Sequence, residues 1–293
     1  MIVVRMQGGL GNQFFQYAAG RALSARLGSS LSLDLTWHRR LPRGATPRAF
    51  ELGRYPIAAT CLDPDDEHSP RFWSMERFGC VVRIDGRLRW ARSFRERGLG
   101  HDPRMPRLGD DRTLEGYWQS PRYFTEVADA LRRELRPVTA MGAEDARVAG
   151  LIASDPHQAV AVHVRRGDYL AGVHAKHHGL CGLDYYQRAF VHIRAAMRSP
   201  RFFVFSDDPA WVASQTDVFG DAVLVAHNGP ETAYQDVRLM SLCRGHVIAN
   251  SSFSWWGAWL SDHENKLVIA PARWHLGRGG DAADLTPPEW LRL

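Results

Sequence analysis

At 293 residues the chain is too long for one small core and about right for two domains, and its 45% hydrophobic and 24% charged content is that of a soluble globular protein. The formal net charge of +5 is spread among interleaved acids, with no block of five like charges, which argues against a nucleic-acid partner and for a small anionic substrate. No apolar run approaches the roughly 20 residues of a membrane-spanning helix, and MIVVRMQGG lacks the basic start and long apolar stretch of a signal peptide.

In chain order, Ile2–Met6 reads as a strand, Gly8–Gly11 as a glycine turn, about Asn12–Leu27 as a helix ended by Gly28, and Leu31–Leu35 as a second strand. That is one βαβ unit. From Trp37 to about Arg112 the pattern dissolves into Pro-, Gly- and Arg-rich pieces with short apolar runs such as CVVRI, and no assignment follows. A helix is expected over Pro121–Leu135, stopped by Pro137.

The second half is regular. Short, continuous, β-rich runs at Ala159–Val164, Phe202–Phe205, Ala222–Val225, His246–Ala249 and Leu267–Ala270 carry the signature of buried parallel strands. Helical patterns at Tyr185–Met197, Pro209–Gln215, Thr232–Cys243 and Ser254–Ser261 separate them. Alternation of this kind predicts an α/β doubly wound domain, so the expected organisation is two Rossmann-like domains, 1–150 and 151–293. Ligands of such sheets bind beyond the carboxyl ends of the strands. QGGLGNQ, HVRRGDY, SDDP and NSSFSWW each follow a predicted strand, so all four polar clusters are expected at functional edges facing one cleft.

Each cluster suits an anion. In QGGLGNQFFQYA the glycines Gly9 and Gly11 permit close backbone approach, and the helix start offers N–H groups, with Asn12 as either ligand or cap. The spacing is neither GxGxxG nor a Walker loop. In HVRRGDY, Arg165 and Arg166 are adjacent on a strand end and point to opposite faces, so one reaches the cleft as a bidentate clamp and the other pairs a carboxylate. Gly167 lets the chain turn, and Asp168 either orients an arginine or acts as a base. NSSFSWWGAWL opens a helix with Ser251 and Ser252, both good caps and both able to bond phosphate, while Trp255, Trp256 and Trp259 belong to core. Asp236, on the preceding helix, is shaped to accept two bonds from a guanine edge. Asp63-Pro64-Asp65 matches a metal-holding DxD, yet it lies in the proline-bounded stretch LDPDDEHSP rather than after a buried strand. The HAKHH cluster, His174–His178, lacks a ligand spacing, and four scattered cysteines suggest neither zinc nor disulfides, which fits a reducing cytoplasm.

GGLGNQFFQYA, HVRRGDY, LCGLDYY (Leu180–Tyr186), FSDD (Phe205–Asp208) and IANSSFSWWGAWL together resemble the bacterial α-1,2-fucosyltransferases of glycosyltransferase family 11. The resemblance spans residues 7 to about 260, with 36–115 contributing little. It implies a GT-B fold of two Rossmann-like domains, an acceptor-side N-terminal one and a GDP-fucose-binding C-terminal one, with the acceptor sugar in the cleft. Carried over by motif, Arg165 is the implied diphosphate arginine, and His163 and Asn12 line the fucose–phosphate region. The implied donor site further takes in Gly9, Gly11, Ser206, Asp236, Asn250, Ser251, Ser252 and Phe253. No metal or cofactor is implied. Lacking the N-terminal anchor of human-type members, the chain is expected to be a cytoplasmic bacterial enzyme of O-antigen type, working at most in peripheral contact with a lipid-linked glycan at the inner membrane face.

The implied reaction moves L-fucose from β-linked GDP-fucose to the 2-hydroxyl of a terminal β-galactoside with inversion. GDP leaves as an anion while positive charge builds on the ring, so stabilising the leaving group is the main task. Asp168, Asp34 and Glu115 are the alternatives for a catalytic base. Competing readings are a fucosyltransferase with another acceptor, against which LCGLDYY argues, and a nucleotide-sugar-binding protein without catalysis.

Overall fold

A computed structural model describes residues 1–75, 77–98, 100–167, 179–275 and 283–293. Asp168 and the HAKHH cluster lie outside them.

The chain divides into two compact units, Met1–Val138 and Thr139–Leu293. The expected boundary at residue 150 falls inside a helix, Ala143–Ala153, whose Val148 and Ile152 pack into the second unit's core. The division therefore lies earlier than the sequence suggested.

In the first unit, β1 (Ile2–Arg5) and β2 (Leu31–Asp34) pair in parallel around α1 (Leu10–Leu27), as the opening pattern predicts. Gly20 lets α1 seat on the sheet, because a Cβ there would lie 2.3 Å from Val4 Cγ2. Gly28 ends the helix in the left-handed region, φ 60°. Strands β3 (Thr60–Leu62), β4 (Phe72–Met75), β5 (Gly79–Ile84), β6 (Arg87–Arg95) and β7 (Arg112–Glu115) complete a sheet of order β3-β2-β1-β7-β6-β5-β4. Its β3-β2-β1-β7-β6 part is parallel and Rossmann-like, whereas β4–β5–β6 is an antiparallel meander. Asp85 and Gly86, both at positive φ, form the two-residue turn between β5 and β6. This meander is what the unassigned Arg-rich segment becomes. The helix expected over Pro121–Leu135 is two 3₁₀ turns followed by α2 (Ala128–Glu134).

The second unit is a parallel sheet of order β10-β9-β8-β11-β12-β13, built from β8 (Ala159–Val164), β9 (Arg201–Ser206), β10 (Val223–Val225), β11 (Gly245–Val247), β12 (Leu267–Ala270) and β13 (Leu291–Arg292). The first five are the five predicted strands. α3 (Ala143–Ala153) leads into β8, and crossovers run through α4 (Leu183–Ala196), α5 (Pro209–Ser214), α6 (Ala233–Ser241) and α7 (Ser252–Trp259). One core layer, including Val160, Val162, Tyr186, Phe190 and Phe202, packs on one face, and Ala161, Phe203, Phe205, Leu239 and Met240 pack on the other. Beneath α7, Trp255 stacks on Trp259 (6.1 Å between ring centroids) and meets Trp256 (5.0 Å) and Trp290 (5.4 Å), so these indoles are core, as expected.

Candidate active site

In a sheet of this order the winding reverses between β8 and β11, and the crevice at such a switch point is where ligands of open α/β sheets bind. HVRRG leaves β8 on one side of that point and IANSSF leaves β11 on the other. The register sets His163 opposite Phe205 and Val164 opposite Ser206, so the FSDD turn rises beside them.

Arg165 forms an ion pair with Asp207 at 3.0 Å, and Arg166 pairs with Asp208 at 3.2 Å with its guanidinium 3.7 Å over the Trp211 ring. Both arginines thus have carboxylate partners, where the sequence suggested that one alone would. Asp207 also accepts the main-chain N–H groups of Arg166 (2.8 Å) and Gly167 (3.0 Å). Gly167 has no positive φ. It lies in a turn, as expected, and what it supplies there is space, since a Cβ would come within 2.6 Å of Asp207 Oδ2. Ser206 spends its hydroxyl accepting from Asp208 N–H at 3.0 Å, which shapes the same turn.

His163 is buried beside Arg165, and burial first, then that guanidinium, pushes its pKa down to about 3. It is a neutral imidazole, its ring 5.6 Å from Phe253, and its buried Nδ1 has no hydrogen-bond partner among the described residues. Ser251 stands at the N-cap of α7, although its hydroxyl makes no capping bond, and Ser252 occupies the first turn. The expected capping role of Ser251 is therefore not used. Asn250 is buried, donates to the Gly179 and Trp274 carbonyls (3.3 Å each) and ties the loops behind the strand end.

Asp236 lies in the first turn of α6, where Asn228 Nδ2 donates to it at 2.8 Å and to Asp145 at 2.9 Å. His227 Nε2 contacts Asp145 at 2.8 Å. Burial raises the Asp236 carboxyl to about 7. Asp145, His227 and Asn228 come from two further segments, and nothing in their local sequence marked them.

In the first unit, α1 begins at Leu10 with Gly9 as N-cap, so Asn12 is not the cap; its Oδ1 accepts from Gln119 Nε2 at 2.8 Å. Gly8, at φ 76°, makes the turn, and Gly11 is buried in the first turn of α1 rather than in the glycine turn expected over Gly8–Gly11. Two fully buried glutamines that the sequence reading passed over hold this loop. Gln13 donates to the Gly8 carbonyl (2.9 Å) and Gln16 accepts from Gln7 N–H (3.0 Å). Asp34 accepts from Ser74, Thr36 N–H and Arg5, while Glu115 takes Arg5 (2.8 Å) on one oxygen and Arg95 (2.8 Å) on the other. Both carboxylates are committed to this network. Asp63 is clamped by Arg39 rather than presented as a DxD. Among the described residues no cluster of His, Cys, Asp and Glu has metal-holding geometry, and no helix is long and apolar enough to cross a membrane.

Residues 104–291 match the sequence profile of Glycosyl transferase family 11. The chain belongs to this family. Relatives extend over the full length: an Alpha-1,2-colitosyltransferase of Escherichia coli is 32% identical over 100% of this chain and 99% of its own. The Escherichia coli O-antigen biosynthesis glycosyltransferase WbnK is 29% identical over 98% of this chain and 99% of its own. A mouse Galactoside alpha-(1,2)-fucosyltransferase 1 is 31% identical over 50% of this chain and 41% of its own. Among solved structures, the fucosyltransferase NodZ from Bradyrhizobium superposes with a TM-score of 0.51 at 17% identity, covering 87% of this chain and 90% of NodZ. That likeness gives the family 11 chain a GT-B type fold.

Asp207, bonded to Arg165 and to two main-chain N–H groups, is placed to aim that guanidinium. Asp207→Asn keeps an acceptor for only one of the two main-chain N–H groups, which bond to different carboxylate oxygens, and loses the charge that aims the guanidinium. With Arg165 as the diphosphate arginine that the family resemblance implies, a fall in kcat of about tenfold is expected, with GDP affinity within about threefold, because misplacement of a group acting on the leaving phosphate is felt in the chemical step. Steady-state kinetics beside GDP titration checks this, and an unchanged kcat contradicts it.

Proposed function

We propose that the chain transfers L-fucose from GDP-β-L-fucose to the 2-hydroxyl of a terminal β-galactoside, inverting the anomeric centre, with no metal in the step. The observation that carries this is that Arg165 follows β8 and the amide-bearing start of α7 follows the adjacent strand β11, on the two sides of the switch point of the second sheet, in a chain of family 11. In this reading the second unit binds the donor. Asp236 accepts from the guanine edge, the start of α7 with Ser251 and Ser252 meets the diphosphate, and Phe253 and neutral His163 wall the fucose–phosphate junction. The first unit serves the acceptor side, and Asn12 with Gly9 and Gly11 keeps the donor-sugar role that the family resemblance implies.

The chemistry follows from charge. As the bond from fucose to phosphate oxygen breaks, negative charge gathers on GDP, and preorganised donors aimed at it lower the barrier. The acceptor hydroxyl attacks from the opposite face and surrenders its proton. With Asp34 and Glu115 engaged in ion pairs, Asp168 is the base this reading assigns.

Incubation with GDP-fucose and lactose, with and without EDTA, tests it: the expected result is an α-1,2-linked product formed at the same rate in both. Loss of product in EDTA, or no transfer to any β-galactoside despite GDP-fucose binding, would overturn the reading. A second donor has its own support. The full-length relative named as a colitosyltransferase points to GDP-colitose, whose sugar lacks the 3-hydroxyl of L-fucose. Parallel assays with the two donors decide between them by kcat/KM. The similarity to an O-antigen biosynthesis enzyme supports a bacterial surface glycan as acceptor.

A further inference from the structure

The meander β4–β5–β6 has two unlike faces. On the inner one, Cys80, Val82 and Ala91 are buried together with Phe72 and Ile84 packed against them. On the outer one, Trp73 pairs with Val81 and Val81 with Trp90, a row of apolar side chains across all three strands. Trp73 is 53% exposed, Phe78 68%, Leu88 64% and Trp90 50%. Single exposed apolar residues are ordinary, but four large ones on one small meander are not.

Charge sets this patch apart from a protein-docking face. Residues 71–97 contain eight arginines and three acids, an excess as large as the net +5 of the whole chain. Arg89 and Arg95 are neutralised by Asp110, Asp111 and Glu115. Arg83 and Arg92 share the outer face by register, opposite Leu88 and Gly79, and Arg87 opens β6 at the hairpin turn. None of these three has an ion-pair partner among the described residues. Arg92 instead lies 5.4 Å over the Trp90 ring.

We propose that this outer face seats the protein on an anionic lipid surface, the indoles and Phe78 entering the headgroup region and Arg83, Arg87 and Arg92 meeting lipid phosphates. Tryptophan settles at such interfaces because its ring is apolar and its N–H polar. Arginines beside it keep their stems in the apolar zone and their heads at the phosphates. Aromatic insertion and cationic attraction are two weak signals that hold jointly where either alone would not. The patch is independent of the donor assignment.

Vesicle sedimentation tests it with the intact chain. Binding to phosphatidylcholine vesicles doped with phosphatidylglycerol is expected, with none to phosphatidylcholine alone and release by added salt. The double variant Trp73→Ser, Phe78→Ser should bind about tenfold more weakly or worse. Arg83→Glu with Arg92→Glu should lose at least about fivefold per position. Both variants should transfer sugar to a dissolved acceptor at the parent rate. Failure to pellet with the anionic vesicles, undiminished binding by the variants, or a dimer that Trp73→Ser with Phe78→Ser disrupts (a second copy covering the patch) would each overturn the proposal. Sedimentation needs no turnover, so an inactive preparation that still binds vesicles refutes the proposed reaction and not this surface.

Discussion

Arg165→Ala is expected to lower kcat/KM by about a hundredfold to a thousandfold, the range for loss of one preorganised oxyanion donor. The fold should survive. Arg165 is partly exposed, and Asp207 keeps its two main-chain donors at Arg166 and Gly167 when the guanidinium is gone. Melting temperature within about 2 °C of the parent is therefore the companion result, as for surface substitutions generally. Arg165→Lys should recover little, since an ammonium cannot form two parallel bonds to phosphate oxygens while holding Asp207. The neighbour is the control. Arg166 stacks on Trp211 and pairs with Asp208, so its loss should appear in stability more than in the chemical step. A variant lacking Arg165 that turned over near the parent rate would remove the anion clamp from the mechanism.

The second large effect concerns pH. Asp236 must be ionised to accept two bonds from a guanine edge, yet burial holds its carboxyl at about 7 in the free protein. Below that value the proton must leave before the base can bind. GDP affinity is expected to fall by up to about tenfold per pH unit below 7 and to level off above 8. Asp236→Asn should bind GDP weakly, with no such titration and with GDP–ADP discrimination reduced. The stability sign runs the other way. A carboxyl raised in the folded state favours the fold while protonated, and that contribution is lost as pH rises through about 7. Asp236→Asn should therefore be at least as stable as the parent at pH 8. A flat GDP-binding profile in the parent chain between pH 6 and 8 would contradict the assignment.

How much of this was legible in the sequence varied by region, for physical reasons. Runs such as AVAV and FFVF lie in strands buried on both faces, so continuous apolarity marked them and the polar residues after them fell at one sheet edge. In β4–β6 only one face is buried and the other mixes tryptophan with arginine, so no clean alternation survived. The Asp85-Gly86 pair between CVVRI and RLRW was a hairpin signal in plain view. At the site, the strand-end position of Arg165 and the helix-start position of Ser251 followed from pattern. The Asp207 and Asp208 partners, the Asp145–Asn228–Asp236 cluster and the commitment of Asn250 to two carbonyls did not. Each joins segments far apart in the chain, and only the folded register brings them together.

The four indoles under α7 carry a consequence for turnover. Trp255, Trp256 and Trp259 pack on one another, and Trp255 also meets Trp290, so the helix is anchored along its inner side. Under the proposed donor role, the entropy of arranging its first amides is lost once, at folding, rather than in every catalytic cycle.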